Sequence, residues 1–149
     1  MAQQKQLESN VVFYRTLAAS QGNELSQSIF GEVGASVIMS NAQIFMRGLC
    51  ESWRTGTWQP YSLSNGGYFM SPNPDSPPEG FLLRHSANDF AEVVTPHLTG
   101  VIVYLYAYSQ LSVHRTFGSK VWAQQHELLQ EYVRGLPERN RSLIFRAVT

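Results

Sequence analysis

The chain has very little cysteine: Cys50 is the only one in 149 residues. That excludes an intrachain disulfide and any zinc site built from several thiolates. It also lacks an excess of either charge. Lysine plus arginine number 11 and aspartate plus glutamate number 11, a formal net charge of zero. A non-specific DNA binder needs a basic excess to release counterions, and a protein imitating DNA needs an acidic one. Neither is present overall, so only a local patch of one sign could play either part. Long apolar runs are missing too. The longest, Leu98 to Leu111, covers about 14 residues where a membrane span needs about 20. The opening MAQQKQLESN carries no apolar signal core, so the expectation is a soluble cytoplasmic protein with no membrane contact.

What is abundant is apolar and aromatic. Hydrophobic residues reach 43%, with 3 tryptophans, 7 tyrosines and 8 phenylalanines, while charged residues are only 15%. Such a chain buries a core rather than staying disordered. No repeat is visible. Residues 1–25 read as a polar segment, partly helical or frayed, with a helix over Val11–Ala19. A single α+β domain then fills residues 26–149.

Within that domain Val33, Val37, Ile38, Ile44, Phe45 and Leu49 recur at helical spacing, predicting a helix over 32–53 with Gly56 as a left-handed cap. The pattern then turns to strands. Thr57–Leu63 and Tyr68–Met70 flank Ser64-Asn65-Gly66-Gly67, whose Asn-Gly pair suits a tight hairpin turn. Pro60 lacks a backbone donor and is expected on an edge or at a bulge. Four prolines place Ser71–Gly80 in an exposed loop. Phe81–His85 and Phe90–Val94 are two further strands. The links are too short for crossovers, so the sheet should be antiparallel, of about four strands, with helices mainly on one face. Thr95-Pro96 opens a helix that is apolar nearly all round, hence central. A strand through Val101–Tyr106 is the competing reading. Two more helices follow, from Ser119 or Lys120 to Gly135 and from Pro137 to Ala147, after a loop at Arg115–Ser119.

Residues of catalytic type are scattered. A nucleophilic Cys50 would need a histidine beside it, and a small buried thiol is the plainer reading. His85, His97, His114 and His126 show no spacing that puts two ligands on one helix face, so no metal and no cofactor is expected. Asp75, Glu79, Asp89 and Glu92 could supply a carboxylate pair, but nothing selects one. Arg134, Arg139, Arg141 and Arg146 form a basic concentration interleaved with Glu131 and Glu138, a mixed surface or a weak nucleic-acid site. The densest unusual segment is Leu49–Pro72. Alternation sends Trp58, Pro60 and Ser62 to one face and Gln59, Tyr61 and Leu63 to the other. If one face packs on the helices, the other is left for a partner.

This segment resembles the KlcA/ArdB family of plasmid antirestriction proteins. The resemblance rests on Leu49-Cys50, Trp58, Tyr61, Leu63-Ser64-Asn65-Gly66-Gly67, Tyr68-Phe69, and Met70 with Pro72. It continues through Phe90, Ala107, Leu111, Glu127, Leu128, Tyr132, Pro137-Glu138 and Ile144-Phe145-Arg146-Ala147, covering residues 28–148. It implies a compact α+β domain carried by mobile elements, which relieves type I restriction of incoming unmodified DNA. It carries over no catalytic residue and implies no enzyme. The proline-rich Ser71–Gly80 loop departs from the family pattern, as does Thr149, which stands where such chains often end in an acid. The zero net charge favours contact with the type I restriction-modification complex, or with a host factor controlling it, over DNA binding. Trp58, Tyr61, Asn65, Gly66, Gly67 and Tyr68 are the candidate contact residues. The same hairpin edge could pair with a second copy as a homodimer. The alternatives are a small hydrolase using Cys50 or a carboxylate pair, and a nucleic-acid module using the C-terminal arginines.

Overall fold

The computed structural model describes residues 11–54, 56–73, 80–85, 87–114 and 119–149. The frayed tail expected at residues 1–10 and most of the loops at Ser71–Gly80 and Arg115–Ser119 lie outside them. The chain runs β1 (Tyr14–Thr16), α1 (Ala19–Leu49), β2 (Trp58–Leu63), β3 (Tyr68–Pro72), β4 (Phe81–His85), β5 (Phe90–Val94), α2 (Pro96–Val113), α3 (Ser119–Arg134) and α4 (Glu138–Val148). The class is α+β, as expected, but the strands divide differently. Among the described residues five strands make two antiparallel sheets, β1-β2-β3 and β4-β5, in place of one sheet of about four.

The extra strand is β1, where a helix over Val11–Ala19 was expected. Val11-Val12-Phe13-Tyr14 is β-branched and aromatic, which suits a strand edge. Tyr14, Arg15 and Thr16 pair with Leu63, Ser62 and Tyr61. Leu17 and Gly22 are buried and tie residues 14–25 to the fold, while most of the other side chains there are exposed.

Pro60 also departs from expectation. It lies in the middle strand of three, opposite Met70. Its carbonyl accepts from Leu17 N at 3.0 Å, so its missing donor faces the Leu17 carbonyl. The Gln59 side chain fills that gap, with Nε2 donating to Leu17 O at 2.7 Å. The ladder is therefore completed by a neighbouring amide, which is why a proline is tolerated there.

α1 breaks at Gly31, which has φ 78 and ψ 170. A left-handed φ of this kind is cheap only for glycine. The second half starts where the helical pattern was expected to start, but it ends at Leu49, with Cys50 N donating to Met46 O. Gly56 lies seven residues beyond that end and is not its cap. Its lack of a Cβ instead makes room for the Trp53 ring. The buried face is Gly34, Ile38, Ala42, Met46 and Leu49, while Val33 and Ile44 point to solvent. The small residues Gly34 and Ala42, either side of Ile38, let this helix lie close to its neighbours. α1 is the one described helix long and apolar enough to reach across a membrane by length and composition. The Gly31 break and the packing of Ile38, Ala42 and Met46 fit a core helix instead.

α2 is central, as its all-round apolar character predicts. Thr95 caps it, its hydroxyl accepting from Leu98 N, and Pro96 takes the first turn. Val101, Ile102, Val103 and Tyr104 are all fully buried, each large aliphatic among them contributing about 1.5–3 kcal/mol. α2 covers the outer edge of β3. Gly100 lies over the backbone of Met70 and Ser71, where a Cβ would meet Ser71 Cα at 2.7 Å. Helices cover both faces of the three-stranded sheet. Tyr68 meets Phe30 of α1 on one side, and Phe69 stacks on Tyr132 of α3 on the other.

Candidate functional site

The β2–β3 hairpin is held down along its whole length. Leu63 N donates to Gly67 O at 2.8 Å, and Gly66 has φ 96, the left-handed geometry that Asn-Gly predicts. Asn65 Oδ1 accepts from Gly67 N at 3.0 Å, and its Nδ2 donates to Leu128 O of α3 at 2.9 Å. Gln125, 3% exposed, completes the clamp. Its Oε1 accepts from Tyr68 N at 3.0 Å, and its Nε2 donates to Gly66 O at 3.2 Å. The tip is therefore docked on α3 by two side-chain amides. The sequence reading missed Gln125; a glutamine among the helical core positions was the available signal.

The six candidate contact residues do not share one surface. Trp58 and Tyr68 are buried against α1 and α2, with Trp58 edge-on to Trp53 at 5.8 Å. Gly67 is buried beside Leu128. Asn65 and Tyr61 are half-buried and Gly66 is exposed. Burial of the Trp58 face and docking of the tip leave little of the hairpin itself open to a partner.

The other face is covered by α3 at Phe69 and Leu63 and opens only at its margin, where the hairpin meets β1. Tyr61 stacks on Phe69 at 4.9 Å and packs edge-on to Tyr14 at 5.5 Å. His97, near the start of α2, sits among them, 4.5 Å from the Tyr14 ring and 4.9 Å from that of Tyr61. Its Nε2 is 2.8 Å from the Tyr132 hydroxyl. Burial holds the His97 pKa below the usual imidazole value. Burial, and then the nearby Tyr14 and Tyr61, push Tyr132 up to about 12. A protonated phenol donating to a neutral imidazole satisfies both. Tyr14 is 51% exposed, so the cluster reaches the surface through β1; Phe13, the residue before that strand, is 63% exposed.

The other chemical candidates are placed plainly. Cys50 is buried, with its sulfur 3.4 Å from Ser52 Oγ, and among the described residues it has no histidine partner. His85 Nδ1 accepts from Ala87 N and its ring stacks on Tyr106. Burial lowers the pKa of His126, against an upward pull from Glu127. Among the described residues no three His, Cys, Asp or Glu side chains cluster as a metal site. Asp75 and Glu79 lie outside those residues. Glu92 pairs with Arg146 at 2.6 Å and Glu127 with Arg134 at 3.1 Å, so two of the four C-terminal arginines are spent on surface ion pairs.

A family model for antirestriction proteins matches residues 51–149. The uncharacterized protein YafX of Escherichia coli strain K12 is 36% identical over 94 residues, covering 63% of this chain and 60% of that protein. An antirestriction protein KlcA of Escherichia coli is 30% identical over 108 residues, 71% of each chain. The solved structure of the KlcA and ArdB proteins superposes with a TM-score of 0.78 at 24% identity, over 93% of this chain and 95% of that one. It describes a novel fold, and antirestriction activity against type I DNA restriction systems in vivo but not in vitro.

Proposed function

The chain belongs to the antirestriction protein family, and from that premise we propose that it relieves type I restriction of incoming unmodified DNA in the cytoplasm, by protein contact and without catalysis. The observation that carries the contact reading is the charge balance of 11 basic and 11 acidic residues. Competing for a DNA groove requires a phosphate-like row of acids, and the balanced composition offers no acidic excess to build it. The KlcA and ArdB proteins act in vivo but not in vitro, a pattern that suits a host factor controlling the restriction complex better than the complex alone.

The contact surface is the aromatic patch of Tyr14 and Tyr61 around His97, with the exposed Phe13 next to Tyr14 in the chain. Exposed tyrosines with a rigid backing are good interface anchors, because little side-chain entropy remains to be lost. Among the described residues β1 is also an unpaired edge of its sheet, whereas α2 covers the other. Trp58 and Tyr68 support this surface from the core.

The test is the plating efficiency of unmodified phage on a host with an active type I system, with and without this gene, beside a host lacking the system. Restored plating in the restricting host alone is expected. Unchanged plating with the folded protein present in the cells would refute the reading. Phe13→Ser with Tyr14→Ala should fold normally and lose the protection; retained protection would move the contact elsewhere.

A further inference from the structure

The second half of α1, from Glu32 to Leu49, has one face in the core and the other in solvent. The core face is Gly34, Ile38, Ala42 and Met46. At about 100° per residue, Ser36, Arg47, Ser40, Val33, Ile44 and Val37 follow one another around the opposite sector, and Glu32 borders it beside Ser36. Val33 and Ile44 are each 64% exposed. The solvent face of a helix ordinarily carries charge, yet residues 33–46 contain no charged side chain. On the Val37 side the strip runs into a groove of about 410 Å³ shared with α2, where Asn41, Gln110, Leu111 and His114 complete the lining. An exposed apolar strip continued into a groove marks an interaction surface.

The ends of the strip identify the partner. Glu32 stands at its start and Arg47 at its end, both exposed. Among the described residues neither has an ion-pair partner, the ion pairs there being Arg134–Glu127 and Arg146–Glu92. Glu32 lies eight positions before Ser40 and Arg47 seven after it, about 12 Å and about 10.5 Å along the helix axis. Both lie on the Ser36 side of the strip. A second copy of the helix laid antiparallel, with the two-fold axis beside Ser40, brings these sides together and sets opposite charges face to face at both ends. A parallel pair would set Glu32 against Glu32 and Arg47 against Arg47. The strip is thus complementary to itself in the way a two-fold interface requires.

We infer that two copies of the chain pair through this face, α1 against α1 and antiparallel, with Glu32 of each copy opposite Arg47 of the other. α1 and α3 lie on opposite sides of the three-stranded sheet, so the pairing leaves the margin at β1 free and stands without the antirestriction reading. One helix pair buries less than the roughly 800 Å² per partner of a standard interface, so the expected affinity is micromolar.

Sedimentation velocity of the full chain, from micromolar to submillimolar concentration, tests this. The sedimentation coefficient should rise from monomer to dimer. Glu32→Arg or Arg47→Glu alone opposes like charges and should weaken pairing at least tenfold. The double variant restores opposite charges and should recover most of the loss. Ser40→Arg meets itself at the axis and should abolish pairing while melting near wild type, since Ser40 is exposed. A chain that stays monomeric throughout would overturn the inference, including one that instead floats with phosphatidylcholine vesicles. So would pairing that survives in folded Ser40→Arg or in the single reversals, or a folded double variant that pairs no better than either of them.

Discussion

Replacing Gln125 by leucine isolates the amide clamp that docks the hairpin on α3. Leucine keeps the approximate volume of the buried side chain but neither accepts nor donates. Two hydrogen bonds are lost, and they are unequal. Gly66 is exposed, so its carbonyl turns to water at little cost. Tyr68 is buried, and its N–H, which donates to Gln125 Oε1 at 3.0 Å, is left unpaired. An unsatisfied buried donor costs about 1–3 kcal/mol, and some is returned by the apolar leucine. The net expectation is a loss of about 1–2 kcal/mol. For a domain of this size that lowers Tm by about 2–8 °C. Urea unfolding should show a lower midpoint with an unchanged slope. Hydrogen exchange at the Tyr68 amide should quicken more than at the α2 core amides. A Gln125→Leu variant as stable as wild type, with Tyr68 protection intact, would refute the clamp. Gln125→Glu, which retains the acceptor, should protect the Tyr68 amide better than leucine does.

Four further outcomes are expected. Gly100→Ala places a Cβ against the Met70 and Ser71 backbone and should cost about 1–3 kcal/mol or more. Gly48→Ala, with open space around it, should be neutral or gain up to about 1 kcal/mol; thermal melts of the pair decide this. Trp58→Ala should cost about 3–5 kcal/mol through core loss, so reduced protection in that variant must be read against the amount of folded protein in the cell. His97 and His126 both have pKa values lowered by burial. The unfolded chain therefore binds protons that the native state refuses, and stability present above about pH 6.5 falls as the pH drops toward the folded values. Urea midpoints between pH 7.5 and 5.5 should decline in wild type and decline less in a His97→Asn, His126→Asn double variant.

The elements with a strong local signature were legible in the sequence. Thr95-Pro96 begins α2, Asn65-Gly66 turns the hairpin, and β4 and β5 have the bounds expected between the proline-rich loop, the turn after His85 and the Thr95 cap. Each is fixed by short-range chemistry: a cap, a positive φ, a flanking turn. The six contact residues were chosen for composition, and composition cannot distinguish an anchor from a core residue. Burial of Trp58 and Tyr68 is decided by α1 and α2 arriving from distant parts of the chain.

Sequence alone therefore determined the α+β class, the central helix and the absence of a DNA-like charge pattern, because composition and period need no partner. Tertiary structure decided the rest. β1 is a strand because β2 offers it an edge, and a three-residue segment has no structure of its own. Pro60 sits in a middle strand because Gln59 can reach the Leu17 carbonyl that the proline cannot serve. The aromatic patch around His97 draws on β1, β2, β3, α2 and α3, and only the packing of all five brings Tyr14, Tyr61, Phe69, His97 and Tyr132 together.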